Sequence, residues 1–448
     1  MITFTFDIEF VNMLPANGEK LLQIYNACKN RVCTDTRKIE QGALFFCLKG
    51  CNFDGNEFAH DALKAGAAYV VADDPQVCTD SRILYVQDSL LALQNLAHNR
   101  RKHMQKTVFL GIGGSNGKTT TKELCLQVLQ TFKISKATFG NLNNHIGVPL
   151  TILELPEDTE VAIIEMGTNH PGEMKVLCDI AEVDMGIVTN VGKEHLEGFK
   201  DLEGVAREES ELYLQLARNN GKALVNADDP WLGNMAKRLS NQLTFGLSPN
   251  CDVKAVIHSA MPYLQFELWV HGKNIGLFTA QIGGEFNIYN ILAAIAAGVS
   301  LGAETKQCAL AACAYKPGNN RSEWKEIKNK KVLLDAYNAN PSSVEAALRS
   351  FATLKGRKAV MLGDMLELGS HSQSEHLEIF KLCQVLGFEE IYLCGQEFMK
   401  VCGQYPLAFE NSNILNSWLK DNPGTADFIL LKGSRGMKME ILLDALSQ

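Results

Sequence analysis

"GIGGSNGKTTTK" (residues 111–122) follows the apolar run "TVFLGI" (107–112) and leads directly into "TTTKELCLQVLQTF". A strand, a glycine-rich turn and a helix in that order form a cradle for phosphate. Glycines let backbone amides approach phosphate oxygens, and the helix start adds partial positive charge. The cradle runs from Gly114 through Asn116 and Gly117 to Thr120. Lys118 has the reach for β and γ phosphates, and the Thr119 hydroxyl is a magnesium ligand of the kind such loops use. The usual spacing puts a glycine five positions before Gly117. This chain has Ile112 there, with glycines at 111, 113 and 114 instead. Glycine-rich turns are common, so the glycines alone say little. The Gly117-Lys118-Thr119 triplet after a strand points to a nucleoside triphosphate.

On either side of the loop, strand-like and helix-like runs alternate. "EVAIIEM", "MGIVTNV" and "KALVNA" read as strands, which predicts a mainly parallel sheet covered by helices over residues 106–314. "YKPGNNRSEW" (315–324) reads as a linker. Beyond it "KVLLDA", "KAVMLGD", "EIYLCG" and "DFILLKG" restart the alternation, predicting a smaller Rossmann-like domain over 315–448. Residues 1–105 mix short strands and helices and end at the basic stretch "HNRRKHMQK", so a small α/β N-terminal domain is expected there. The fold class is therefore α/β, in three domains, the middle one a P-loop-type ATPase.

The 448 residues carry a net charge of −8, which argues against nucleic acid or an anionic membrane as the main partner. The start "MITFTFDIEF" lacks the basic opening of a signal peptide, and "NILAAIAAGVSLGA" is too short and too rich in small residues to span a bilayer. Thirteen scattered cysteines without a paired zinc pattern fit a reduced, cytoplasmic protein with buried thiols. A monomer is the expectation.

Several polar residues sit where a ligand would bind. Glu165 ends an apolar strand, and ligands of open parallel sheets bind at those ends. A lone glutamate after a strand is ordinarily a loop residue, but a cleft shared with Thr119 favours a metal role. Asn190 and His195 follow another strand, and "TFGNLNNHIGVPLT" (138–151) is an Asn-rich loop placed to bond a substrate or simply to turn. "AREESELY" (206–213) lies in a segment whose pattern predicts one helix, capped by Asp201 and ended at 219–221. Leu202, Val205, Leu212, Tyr213 and Leu216 share its inward stripe. Glu208 and Glu211 project off that stripe and are expected in solvent, whereas Glu209 falls in its middle. A buried carboxylate is costly unless it is paired or binds metal, so Glu209 is either salt-bridged or functional.

The loop "GIGGSNGKTT", with "NLNNHIGVPLTIL", "IIEMGTNHPGEM" and "VTNVGKEHLEGF", resembles the Mur ligases. "DAYNANPSSVEAAL", "MLGDMLELGSHS" and "LLKGSRGMKME" are similar to the member that adds a dipeptide. The resemblance implies an ATP- and Mg²⁺-dependent amide-bond-forming ligase of peptidoglycan precursor synthesis. It would join D-Ala-D-Ala to UDP-MurNAc-tripeptide through an acyl phosphate, giving the pentapeptide, ADP and phosphate. By motif, Lys118 would hold phosphates, Thr119 and Glu165 would ligate one Mg²⁺, and His195 a second. Asn143 and Asn144 would line the reacting centre, with Asn169 and His170 nearby. Asn287 and Asn290 would flank adenine, and Arg321 and Asp335 would reach the nucleotide. Asn338, Asn340 and the 432–435 stretch (Lys432, Ser434 and Arg435) would serve the dipeptide or the closed state. The uridine end would meet Thr34, Asp35, Thr36, Arg37 and Lys49.

Three positions depart from the family pattern. Thr36 replaces a serine, keeping the hydroxyl. Phe286 replaces a histidine, removing a polar contact beside the adenine candidates. Glu209 stands where the family carries a lysine that becomes carbamylated and supports the second metal. A carbamylated lysine is a carboxylate on a long arm, so the resemblance implies that Glu209 supplies the same charge without CO₂. Two other readings stay open. One is a related acid–amino-acid ligase acting on a different Mur precursor or a folate. The other is a nucleotide-binding homologue without turnover.

Overall fold

The computed structural model describes residues 18–237 and 239–447. The segment whose composition argued against a signal peptide lies outside the described residues. The chain divides into two compact units. One comprises Met1–Thr107, Thr138–Thr159 and Asp179–Glu182; the other comprises Val108–Ala137, Glu160–Cys178 and Val183–Gln448.

In the first unit the described residues form a four-stranded parallel sheet in the order Val32–Cys33, Leu44–Phe46, Tyr69–Ala72, Ile83–Tyr85. Leu44, Phe45 and Phe46 are all buried, as expected of a parallel strand covered on both faces. The basic stretch that ends this region in the sequence is the last turn of helix Ser89–His103. Arg101 is buried and donates to the carbonyls of Ala181 (3.0 Å) and Glu182 (2.8 Å), satisfying acceptors left open at a helix end.

The second unit holds two sheets. The larger has nine strands among the described residues, in the order Lys273–Thr279, Gln265–Val270, Val253–Ser259, Gln242–Gly246, Lys222–Asn226, Met185–Val188, Val108–Gly113, Val161–Glu165, Ser135–Ala137. It is parallel from Ser135–Ala137 as far as Val253–Ser259, then closes with two antiparallel strands that the sequence pattern did not predict. Strand Val108–Gly113 lies between Met185–Val188 and Val161–Glu165. The chain order therefore reverses beside the phosphate loop, which is where open α/β sheets bind ligands.

The other sheet runs Glu323–Ile327, Lys330–Asp335, Phe428–Lys432, Lys358–Gly363, Glu390–Cys394, Ala408–Phe409 and is parallel apart from its first hairpin.

Helix Asn287–Ser300, the apolar run judged too short for a bilayer, is buried in the core of the nine-stranded sheet. Among the described residues no helix is long and apolar enough to cross a membrane. The acidic segment forms helix Leu202–Asn219. Asp201 accepts from Gly204 N at 2.8 Å, and Asn220 ends the helix in left-handed backbone. Val205, Leu212, Tyr213 and Leu216 face the core, and Glu209 with them is 1% exposed. Glu208, expected in solvent, is instead buried. Its two oxygens accept from Gly172 N (2.7 Å) and Met174 N (2.6 Å), so it closes the open amides at the start of helix Glu173–Ala181. A carboxylate at a helix N-terminus is stabilised by those donors and by the helix dipole.

Candidate active site

The phosphate loop leaves strand Val108–Gly113 and enters helix Lys118–Leu129. Gly114 and Gly117 hold φ of 108° and 83°, in the left-handed region glycine tolerates. Space forbids a side chain as well: a Cβ on Gly114 would meet Thr189 Oγ1 at 2.2 Å, and one on Gly117 would meet Asn290 Oδ1 at 2.5 Å. The loop is laced to the segment after strand Met185–Val188. Ser115 N donates to Asn190 O, Gly192 N donates to Ser115 Oγ at 2.8 Å, and Asn116 and Asn190 exchange two hydrogen bonds.

Lys118 folds back over this loop. Its ammonium donates to Gly114 O and Ser115 O and lies 3.4 Å from Glu194 Oε2. Burial lowers its pKa, but Glu194, Glu209 and Glu165 together outweigh that and leave it raised. Thr119 Oγ1 donates to Glu165 Oε1 at 3.1 Å, so the two residues read as one magnesium pair do meet. Thr120, the last residue of the cradle, is buried.

Glu209 Oε2 accepts from Gly114 N at 2.6 Å and reaches the loop from beneath. Burial pushes its carboxyl up to about 8, helped by the negative charge of Glu194 and Glu208 and opposed by Lys118 and the Gly114 amide. His195 sits at φ 43°, its Nδ1 2.6 Å from Glu367 Oε2 and its Nε2 3.9 Å from Glu194 Oε2. The sequence reading missed both Glu194 and Glu367. Glu194 adjoins a flagged histidine, which was the signal available. Glu367 comes from a loop after another sheet, and no local pattern points to it.

Asn287 and Asn290 are buried and joined. Asn290 Nδ2 donates to Asn287 Oδ1 (2.9 Å), Asn287 Nδ2 donates to Gly283 O (2.7 Å), and Thr121 Oγ1 donates to Asn290 Oδ1 (3.0 Å). They tie helix Asn287–Ser300 to the phosphate-loop helix. Phe286 is half-buried, and a Cβ on Gly284 would lie 2.7 Å from its ring.

At the carboxyl ends of the third sheet's strands, Lys432 Nζ meets Asp335 Oδ2 at 2.6 Å and Asn338 O at 3.3 Å. Arg321 lies over the Tyr337 ring at 3.7 Å, with Arg435 5.7 Å from the same ring. Ser434 is buried and donates to Ala339 O. Asn340 caps helix Pro341–Ala352 through Ser343 N (2.9 Å), and its Nδ2 donates to Asn116 Oδ1 at 2.8 Å. Asn340, read as serving the dipeptide, thus reaches the phosphate loop.

Asn169 and His170 are exposed. Their backbone amides bond Glu173 Oε2, and Gly198 packs against Asn169 O. Within the first unit, Asn144 Oδ1 accepts from Ile146 N and Gly147 N, capping helix Gly147–Leu153, and Asn143 lies beside it, half-buried. In the same unit Arg37 forks onto Asp35, whose carboxyl its hydrogen bonds hold down at about 2; Thr34 and Thr36 are half-buried, and Lys49 pairs with Asp73 at 2.9 Å.

Among the described residues no three His, Cys, Asp or Glu side chains form a ready cage for metal. Magnesium asks for less: one or two carboxylates, the rest of its shell coming from waters and substrate phosphates. The Thr119–Glu165 pair and the buried acids around Lys118 have the right donor chemistry.

Three family descriptions match the chain: the Mur ligase family catalytic domain at residues 30–104, the Mur ligase middle domain at 112–298, and the Mur ligase glutamate ligase domain at 320–435. A Bacillus subtilis UDP-N-acetylmuramoyl-tripeptide–D-alanyl-D-alanine ligase is 35% identical over 428 residues, 91% of either chain. Its Escherichia coli counterpart is 33% identical over 443 residues, 96% of either chain. Among solved structures, an Acinetobacter baumannii MurF superposes with a TM-score of 0.87 at 27% identity, covering 98% of this chain and 100% of that one. A Thermotoga maritima MurF in complex with ADP gives 0.85 at 26% identity, covering 94% and 98%.

Proposed function

The chain belongs to the Mur ligase family, with its three-domain α/β fold, and we propose that it joins D-Ala-D-Ala to UDP-MurNAc-tripeptide at the expense of ATP. The product is the UDP-MurNAc-pentapeptide used in peptidoglycan synthesis, made in the cytoplasm where its nucleotide substrates are. The relatives support the substrate assignment, since they carry that name over nine-tenths of their length. The observation that carries it in the structure is the bond from Asn340 to Asn116, because it brings the segment assigned to the dipeptide onto the nucleotide's loop.

The chemistry follows from the groups present. A carboxylate is a poor electrophile. An oxygen of the tripeptide carboxylate takes the γ-phosphoryl group, and ADP leaves. The dipeptide amine then attacks the acyl carbon, the tetrahedral adduct loses phosphate and a proton, and the amide remains. Such transfers depend on positioning and charge stabilisation rather than a protein nucleophile. Lys118 and the loop amides would hold the triphosphate, and Asn287, Asn290, Arg321 and Asp335 would define the nucleotide pocket. Bound magnesium would screen the two meeting anions, with Thr119 and Glu165 holding one ion and His195 with Glu209 the other. Glu209 is already buried against the loop, with its carboxyl beside Lys118, and a bound cation would favour the ionised form that burial opposes, which suits a built-in substitute for a carbamate.

The test is phosphate release from ATP and Mg²⁺ with UDP-MurNAc-tripeptide, with D-Ala-D-Ala added or omitted, while mass spectrometry follows the pentapeptide. Release that requires both substrates and is indifferent to bicarbonate is expected. No release with either a diaminopimelate or a lysine tripeptide would move the substrate to another precursor; ATP binding without any turnover would leave a regulator.

A further inference from the structure

Glu194 is 4% exposed, and its Oε1 is buried without a hydrogen-bond partner. Leaving a carboxylate oxygen unsatisfied in the interior is costly, so such a group calls for an explanation. Its other oxygen faces Lys118 Nζ at 3.4 Å and His195 Nε2 at 3.9 Å. The plain account is that Glu194 is a counter-ion for Lys118. That account holds only while the nucleotide is absent. Lys118 must turn toward the incoming phosphates, and Glu194 would then face a triphosphate with no positive partner. Buried like charges repel strongly.

The geometry points to Glu194 as a divalent-cation ligand of the reacting centre, sharing one ion with His195 when the nucleotide enters. This rests on the two-ion reading above and adds a carboxylate that the family pattern does not assign. His195 is ready for the role. Its Nδ1–H donates to Glu367 at 2.6 Å, which leaves the lone pair on Nε2 toward Glu194. Octahedral magnesium with bonds of about 2.1 Å places cis donors about 3.0 Å apart and trans donors about 4.2 Å apart. The 3.9 Å between Glu194 Oε2 and His195 Nε2 lies between those two separations and nearer the second, so a small side-chain movement brings both donors onto one ion. The exchange also keeps a positive charge beside Glu194: as Lys118 leaves, the divalent cation arrives.

The experiment counts Mn²⁺ bound to the full chain with adenylyl imidodiphosphate, by the electron paramagnetic resonance signal of free Mn²⁺. The wild type should hold two ions. Glu194→Gln should weaken one at least tenfold and leave the other, as should His195→Ala, and the double variant should lose no more than either single one. Glu165→Gln should affect the other ion. Glu194→Gln leaves Lys118 without its counter-ion and should lower the melting temperature of the nucleotide-free protein; Glu194→Asp, which keeps the charge, serves as the second variant if Gln disturbs folding. Two ions retained at wild-type affinity in Glu194→Gln would overturn this proposal alone. A single ion in the wild type, lost with Glu165→Gln and kept with Glu194→Gln, would overturn both it and the two-ion reading.

Discussion

His195 Nδ1 and Glu367 Oε2 lie 2.6 Å apart, and both residues hold left-handed backbone, at φ 43° and 64°. Non-glycine residues seldom adopt that region, and it persists only where the surroundings enforce it. Here they do. The Glu367 loop is fastened by Met365 N to His376 Nε2 (3.0 Å), Leu366 N to Ser434 Oγ (3.0 Å) and Ser434 N to Asp364 O (3.1 Å). Two loops from different sheets are thus shaped to orient one imidazole. Its hydrogen bond to His195 holds the Glu367 carboxyl below its ordinary range against the pull of burial.

Glu367→Gln should therefore lower kcat by about 10- to 100-fold, the usual cost of removing a carboxylate that orients a metal-binding histidine. The KM for ATP should move little, because the loop amides and Lys118 are untouched. Steady-state kinetics at saturating dipeptide separates the two. A kcat within twofold of wild type would mean that the contact only holds the two sheets together.

Glu209→Gln should cut turnover by about a hundredfold, of the order seen when one charge-stabilising group is lost, with the circular dichroism spectrum unchanged. Glu209→Lys, which restores the residue the family carries, should be inactive without bicarbonate and partly active with it. Full activity in Glu209→Gln would refute the metal-site role. A Lys variant indifferent to bicarbonate would refute the equivalence with a carbamate.

His376 gives a pH dependence. Burial depresses its pKa below the ordinary 6.5, outweighing its bond to Ser372 O and the nearby carboxylates Asp364, Glu397 and Glu375. The Phe398 ring packs edge-on at 4.6 Å. The folded state thus prefers neutral His376, and the unfolded chain takes up the proton first as pH falls. The stabilisation is complete above pH 6.5 and is lost as pH drops toward the folded value, at up to about 1.4 kcal/mol per pH unit. Asp364, raised by burial, acts in the opposite sense, favouring the fold below its unfolded value of 3.8. Hydrogen exchange of the 364–376 segment, corrected for intrinsic rate, should show protection falling from pH 7.5 to 5.5 in the wild type and much less in His376→Gln. Flat protection in the wild type would remove the histidine from the account.

What could be read from the sequence follows from what is local. Helix Leu202–Asn219 declared itself through the Asp201 cap, the apolar stripe and the Asn220 end, and the same stripe turned Glu209 inward. The parallel strands announced themselves as apolar runs ending in polar loops, and Thr119 and Glu165 met because one opens the helix after strand Val108–Gly113 and the other ends the neighbouring strand, beside the reversal in strand order. The angle that placed Glu209 correctly misplaced Glu208, because the partners of Glu208 are the amides of Gly172 and Met174, which its own helix does not supply. Glu194 and Glu367 sit in irregular loops where periodicity carries no information. Strands Gln265–Val270 and Lys273–Thr279 depend on an antiparallel return that an alternating strand–helix pattern does not foretell.

Asn340 separates a structural role from a functional one. Its Oδ1 caps helix Pro341–Ala352 at 2.9 Å from Ser343 N, while its Nδ2 donates to Asn116 Oδ1 at 2.8 Å. Aspartate caps a helix as well as asparagine does, so Asn340→Asp should keep the thermal stability of the wild type, whereas Asn340→Ala should lose about 1 kcal/mol. The Asp variant replaces a donor with a negative charge aimed at the loop that must receive a triphosphate. Its KM for ATP should rise by about tenfold, roughly 1.4 kcal/mol of repulsion and lost hydrogen bonding, and added salt should recover part of that loss. Equal KM values for wild type and Asn340→Asp would reduce this bond to a packing contact, and the link between the dipeptide segment and the nucleotide loop would have to come from elsewhere.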